Sequence, residues 1–150
     1  MPISDEKQNF ISLLKEKISN NLTDIESRDD LSIDEKSKRI IHIFSAACAV
    51  SAVQPIPFAD IFFLIPLQVY MVERLAAVRD VPISALDQMT DFATMIVMLI
   101  LAQQVALGLY KTGLPFFAGF TTIPLVYALT YGIAKVLDSL FVKRAKAAAY

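Results

Sequence analysis

The sequence is poor in the residue types from which most catalytic and metal sites are built. It contains one cysteine, one histidine, four glycines and no tryptophan. The single Cys48 excludes an intrachain disulfide, and because no cluster of ligands accompanies it we expect no structural zinc. The glycines form no phosphate-binding loop, and no Gly-x-Ser-x-Gly motif occurs. We therefore predict no catalytic residues, no metal and no cofactor, and an enzyme is the least favoured class of function.

The only histidine, His42, is a poor partner for Cys48 in a nucleophilic pair. It precedes the cysteine by six positions, so the two side chains point to different faces of one helix. A Cys–His pair needs a closer geometry than this spacing gives. We interpret both as interior packing residues.

Charge is missing from half of the chain. Three runs, 40–72, 92–110 and 112–134, contain a single Asp, Glu, Lys or Arg, which is Asp60. Hydrophobic residues make up 55% of the sequence and the mean hydropathy is +0.52. A soluble domain of 150 residues cannot bury this much apolar surface on its own. Association with a membrane is favoured over a soluble oligomer that buries the runs between protomers, around a lipid for example.

The remaining charges are distributed unevenly. Residues 1–31 carry seven acidic and four basic groups, and residues 135–150 carry four basic and one acidic. A basic tail after the last apolar run fits anionic lipid headgroups on a cytoplasmic face, and no basic cluster is large enough to indicate nucleic acid. The first residues lack the basic start and apolar core of a signal peptide, so we expect insertion from the cytoplasm.

Helical periodicity divides the chain into two parts, an amphipathic acidic region at 1–31 and a helical membrane domain at 32–150. Apolar residues recur at helical spacing over 5–19, and Asn20-Asn21 predicts the end of that helix. Ser32 and Glu35 have the spacing of a capping box, which predicts the start of a second helix.

The first apolar hairpin, about 40–72, is predicted to turn at Pro55 and Pro57. Small residues on its first arm would let another helix approach closely; these helix-packing positions are Ser45, Ala49 and Ala52. The return arm should exit at Glu73-Arg74 and contains Pro66, which predicts a kink or a break. A re-entrant hairpin and a short two-span hairpin both satisfy these observations.

The second apolar hairpin, about 92–134, is predicted to consist of a helix ending near Tyr110, a turn at 111–115 and a bent return helix. Gln103-Gln104 interrupts the apolar surface of its first arm and is expected to face protein. A basic helix over 135–150 should continue from the return arm.

Asp60 is the one charged residue of the first apolar run, and a carboxylate in a membrane hairpin costs about 2.5–3.5 kcal/mol at mid-bilayer. It is predicted to cap the return helix, to contribute to a ring of carboxylates lining a hydrated path through a homo-oligomer, or to do both, since the two roles are compatible. Gln68 lies eight positions later, near the same helical face, and is predicted to hydrogen-bond between helices or to line the same path.

The segment 52–71 resembles the core of the uncharacterised DUF697 family, whose members share a Pro-x-Pro-x-Ala-Asp stretch followed by an apolar helix with Gln and Met. The matching positions are Pro55, Pro57, Ala59, Asp60, Gln68 and Met71. The resemblance covers about residues 40–135. In that family the helical domain often follows a GTP-binding domain, which this sequence does not contain. The resemblance therefore implies a membrane-associated module, with any GTPase supplied in trans by a separate protein.

Together these patterns predict an all-α protein embedded in the cytoplasmic membrane by helical hairpins, with both termini in the cytoplasm. We expect a non-enzymatic, homo-oligomeric assembly like a pore or ion channel, with membrane lipids and its own copies as partners. The main alternative is an adaptor that wedges its short hairpin into one leaflet and works with a separate GTPase. A soluble, lipid-associated helical oligomer is the third possibility.

Overall fold

The computed structural model describes residues 2–52, 61–82, 90–113 and 118–148, and these fold into five α-helices. The helices are α1 (Pro2–Ser27), α2 (Ile33–Ser51), α3 (Ile61–Val78), α4 (Thr90–Gly113) and α5 (Ala118–Ala148). No strand is present among the described residues, and the all-α prediction is confirmed.

α1 is longer than the sequence predicts, because it continues through Asn20-Asn21 to Ser27. Ile18, Leu22 and Ile25 form one apolar stripe at helical spacing, and all three are buried. The asparagines lie on the exposed side of the same turns, where the Asn21 amide donates to the Lys17 carbonyl at 3.1 Å. Burial of the stripe thus outweighs the weak helix propensity of asparagine, and the predicted end of the helix is wrong.

α2 begins as predicted, at a capping box. The Ser32 hydroxyl accepts from the Glu35 amide at 3.2 Å, and the Glu35 carboxylate accepts from the Ser32 amide at 3.0 Å. Two amides that lack partners inside the helix are thereby satisfied. The small residues Ser45, Ala49 and Ala52 are all buried, on the side of α2 that faces the bundle.

α3 passes through Pro66 without a break and ends four residues beyond Arg74, so the predicted exit at Glu73-Arg74 is wrong. Its true end is a Schellman-type cap, in which the Val81 amide donates to the Ala76 carbonyl at 2.9 Å and the Asp80 amide to the Ala77 carbonyl at 3.1 Å. Asp80 takes the left-handed conformation that this cap requires, with φ of 58°.

α4 and α5 also differ from the prediction at their ends. α4 continues past Tyr110 to Gly113, so Lys111 lies in a helix rather than in a turn. α5 is one helix from Ala118 to Ala148 and includes both the last apolar run and the basic tail.

The centre of the protein is formed by α2, α3 and α5, with α4 against α5 and α3, and α1 against α2 and α3. Large apolar side chains from these elements fill the core; the fully buried ones include Leu22, Phe44, Leu64, Leu67, Met71, Leu75, Leu107, Leu137 and Phe141. Successive helices run antiparallel. The last turns of α2 and α4 therefore lie at one end of the bundle, and those of α3 and α5 lie at the other.

Two of the described helices are long and apolar enough to cross a membrane, Thr94–Gly113 in α4 and Thr121–Ala147 in α5. Only 39% of the first window and 33% of the second is buried inside the protein. The remaining residues of each window are half-buried or exposed. The first lies in the predicted second hairpin, and the second begins there and continues into the basic helix predicted over 135–150.

Candidate functional site

The outward face of α4 is apolar throughout its central part. From position 97 to position 109, every exposed residue is apolar; we call this set the outer face of α4, and it consists of Val97, Met98, Leu101, Ala102, Val105, Ala106 and Leu109. Met98 is 61% exposed and Leu109 is 64% exposed. A contiguous exposed apolar surface of this kind marks contact with lipid or with another protein.

The inward face of the same helix carries its polar residues. Gln103 and Gln104 are 3% and 4% exposed, and Lys111 is fully buried. A helix on the surface of a water-soluble protein has the opposite arrangement, with its apolar stripe inward and its polar residues outward. α4 thus has an apolar outer face and buries Gln103, Gln104 and Lys111 on the side where Ile96, Ile100 and Leu107 are also buried, an arrangement that a hydrocarbon environment tolerates. The prediction that Gln103-Gln104 faces protein is confirmed.

Gln103 and Gln104 belong to a chain of hydrogen-bonding side chains inside the bundle, which we call the polar seam: Cys48, Gln68, Gln103, Gln104 and Thr130. The Gln68 amide donates to the side-chain oxygen of Gln103, whose own amide donates to the Thr130 hydroxyl at 3.0 Å. The Gln104 amide approaches the Gln68 side-chain oxygen at 3.5 Å, and the Cys48 thiol is hydrogen-bonded to the Thr130 side chain. The predicted bonding of Gln68 between helices is confirmed.

The polar seam links all four of the helices α2 to α5 near the middle of the candidate spans. Each buried amide left without a partner would cost about 1–3 kcal/mol, so the seam fixes how the helices are aligned. Gln68 is fully buried within a single protomer. A path lined by Gln68 would accordingly run through the helical bundle of one protomer.

Lys111 lies at the end of the bundle where α2 and α4 finish. Its ammonium donates to the carbonyl oxygen of Ala52, the C-cap of α2, at 2.9 Å. A cation at this position is favoured because carbonyls at the end of a helix carry partial negative charge. The sequence indicates this position, since Gln103, Leu107 and Lys111 recur every four residues on one helical face. The turn predicted at 111–115 places Lys111 outside the helix, and this is why its burial is missed.

The opposite end of the bundle is held together by ion pairs between side chains. Arg79, at the end of α3, bonds Asp138 of α5 and also Asp34 of α2 at 2.7 Å. Asp138 in turn accepts from the Ser37 hydroxyl at 3.0 Å. The hydrogen bonds that Arg79 donates to the Asp138 carboxylate raise the pKa of Arg79 further above its ordinary value, so the guanidinium stays charged. We call Asp34, Ser37, Arg79 and Asp138 the ionic clasp.

His42 is exposed, so its interpretation as an interior residue is wrong, whereas Cys48 is buried as expected. The imidazole Nδ1 is hydrogen-bonded to the Tyr127 hydroxyl, and the ring centroid lies 5.2 Å from that of Tyr131. The two tyrosine rings are nearly parallel, 14° apart. The histidine thus packs on an aromatic surface of α5 that the separation in sequence does not reveal.

Of the site residues predicted from the sequence, Gln68, Ser45, Ala49 and Ala52 are placed in the bundle interior. Asp60, Pro55 and Pro57 lie outside the described residues, so their predicted roles as pore lining, cap and turn stay predictions. The Ser45 hydroxyl is buried and has no hydrogen-bond partner within the part of the chain that the structure describes.

No family model, curated protein or solved structure matches this chain. The resemblance to DUF697 stays a prediction.

Proposed function

We propose that this chain is a non-enzymatic membrane protein whose α4–α5 hairpin inserts into the bilayer. The observation that carries the proposal is the arrangement of α4, whose outer face is apolar and whose glutamines and lysine are buried. In lipid this arrangement exposes only groups that hydrocarbon tolerates and satisfies the polar groups inside the protein. In water the same arrangement exposes the apolar outer face to solvent, which is unfavourable.

The finer proposal is a homo-oligomeric assembly like a pore or ion channel in the cytoplasmic membrane, with both termini on the cytoplasmic side. The polar seam supports a path of this kind only within each protomer, because its uncharged hydrogen-bonding groups are buried near the middle of the candidate spans. The basic residues at the end of α5, Lys143, Arg144 and Lys146, support the orientation.

Insertion is tested by placing a charge on the outer face of α4. Val105→Arg puts a guanidinium near the middle of a candidate span, at a cost of about 2.5–3.5 kcal/mol. We expect recovery with liposomes in a flotation assay to fall by about a hundredfold, since about 1.4 kcal/mol is a factor of ten. The matched control is Asn20→Arg, at an exposed position of α1. Equal flotation of both variants would contradict the insertion of α4.

Conduction is tested with reconstituted proteoliposomes. Gln103→Leu removes the central amide of the polar seam and should lower ion flux, whereas Gln8→Leu, at an exposed position of α1, should leave it unchanged. Asp60→Asn should alter the conductance to cations, as expected from the only carboxylate in 40–72. Unchanged flux and selectivity in both Gln103→Leu and Asp60→Asn would count against the pore.

A second candidate is a wedge or adaptor that acts on membranes with a separate GTPase partner, as the resemblance to DUF697 implies. It is favoured by one observation: neither candidate span among the described residues lies in the first hairpin, on which a charged helix, α1, packs. The wedge should deform liposomes without passing current, which separates it from the pore.

A further inference from the structure

α1 packs on both α2 and α3, and it contacts α3 near both of that helix's ends. Near the beginning of α3, the ring of Phe63 meets the ring of Phe10 edge-on, with centroids 5.8 Å apart. Near its end, Arg74 pairs with Glu26 of α1. Between these contacts the buried residues Ile18 and Leu22 join the core of the bundle.

Between α1 and α3 there is an open cleft of about 620 Å³ with two unlike walls. The α1 wall contributes Lys15, Glu16 and Ser19, and the α3 wall is mainly apolar; it is formed by Ile65, Pro66, Val69, Tyr70 and Glu73. Val69 is 46% exposed at this cleft. The apolar side of α3 is therefore covered by a charged helix that packs only part of it.

The depth of this cleft conflicts with insertion of the whole bundle. Gln68, adjacent in sequence to Val69, is bonded to Gln103, which lies at the middle of the span Thr94–Gly113. If α4 crosses a bilayer with α3 still packed against it, Lys15 and Glu16 lie near the same depth. Each such charge costs about 2.5–3.5 kcal/mol at the centre of a bilayer. Insertion of α3 with α1 still packed on it would therefore pay this cost for both charges.

We propose that the face of α3 covered by α1 is a second bilayer-binding surface, which becomes available when α1 detaches. The described structure is then the closed form, in which α1 masks this surface. α1 turns about the short connection at 28–32, and the Glu26–Arg74 pair and the buried Leu22 hold it in place. This inference rests on the proposed function, since it takes insertion of α4 as given.

The test uses the full chain with Cys48→Ala and one new cysteine that carries a polarity-sensitive fluorophore. One reporter is placed at Val69, in the cleft, and the other at Val105, on the outer face of α4. Vesicles contain phosphatidylcholine and phosphatidylglycerol in equal parts. We expect the Val105 reporter to move into lipid in every variant.

Release of α1 is produced by Leu22→Asp, which puts a carboxylate at a fully buried position. The matched control is Leu13→Asp on the same helix, where the leucine is 57% exposed. We expect the Val69 reporter to enter lipid at least about tenfold faster in Leu22→Asp than in the parent, and at the parent rate in Leu13→Asp.

A charge exchange guards against simple unfolding of Leu22→Asp. Arg74→Glu faces Glu26 with a like charge and should speed entry of the Val69 reporter, and addition of Glu26→Arg should return the rate toward that of the parent. A Val69 rate that is unchanged by Leu22→Asp and by Arg74→Glu overturns the masking by α1, as does a Val69 reporter that never enters lipid while the Val105 reporter does. Failure of the Val105 reporter to enter lipid overturns the proposed function itself.

Discussion

The guanidinium of Arg79 and the carboxylate of Asp138 are joined by two parallel hydrogen bonds, from Nε to Oδ1 at 2.9 Å and from Nη2 to Oδ2 at 2.8 Å. Both side chains are nearly buried, with 10% and 11% of their surface exposed. The pair joins the end of α3 to α5, and through Ser37 and Asp34 it also holds the first turns of α2. The ionic clasp thus ties α2, α3 and α5 together at one end of the bundle.

Asp138→Asn should destabilise the protein strongly, because it leaves the Arg79 guanidinium mostly buried with one carboxylate fewer. We expect the free energy of unfolding to fall by about 2–4 kcal/mol, measured by urea denaturation in mild detergent. Asp30→Asn is the matched control, since the Arg28–Asp30 pair is exposed and should contribute almost nothing. If both variants lose the same stability, the clasp contributes no more than a surface ion pair.

Asp80→Gly should stabilise the protein. Asp80 has a φ of 58° in the cap of α3, and glycine takes this left-handed conformation without the steric cost of a Cβ. We expect a gain of about 0.5–1 kcal/mol in the free energy of unfolding. Asp29→Gly, at an exposed position without a positive φ, should give no gain. A loss of stability in Asp80→Gly would mean that the aspartate side chain matters more than the backbone conformation.

Stability should decrease as the pH falls through the acid range. Hydrogen bonds from the backbone amide and the hydroxyl of Ser32 lower the pKa of Glu35. A carboxyl whose pKa is lower in the folded state adds stability above its unfolded pKa, and this contribution is lost as the pH falls through the folded pKa. The urea midpoint should therefore fall between about pH 5 and pH 3.

Glu35→Gln separates the capping box from the other carboxyls in that titration. Its amide oxygen still accepts from the Ser32 amide but does not titrate, so the variant should lose less of its urea midpoint over the same pH range. Identical pH profiles for the variant and the parent would show that Glu35 contributes nothing to the acid dependence.

Features that depend on neighbouring residues could be predicted from the sequence. The capping box of Ser32 and Glu35 is one, because its hydrogen bonds span three positions. The end of α1 could not, since Asn20-Asn21 favours a stop and only the packing of Leu22 in the core overrides it.

For polar residues in or beside the apolar segments, the sequence predicts which ones face protein but not which residue each one contacts. Gln103 was expected to face protein, and it does, but its partner Thr130 is 27 positions away. Arg74 was interpreted as the polar end of a helix, whereas it pairs with Glu26, 48 positions earlier. Such pairings are set by how the helices pack, which no local pattern records.

The bond between Gln68 and Gln103 should give a coupled response in a double-mutant cycle. Each single change to leucine removes one partner and leaves the other amide buried without it, at a cost of about 1–3 kcal/mol. In the double variant both amides of the pair are gone, so the total loss should be smaller than the sum by about 1 kcal/mol. Gln104 approaches Gln68 at 3.5 Å, so Gln104→Leu combined with Gln68→Leu serves as the weaker comparison. Additive losses in the Gln68 and Gln103 cycle, measured by unfolding in detergent, would show that the polar seam is a set of independent groups, and the alignment of α3 with α4 would then rest on apolar packing alone.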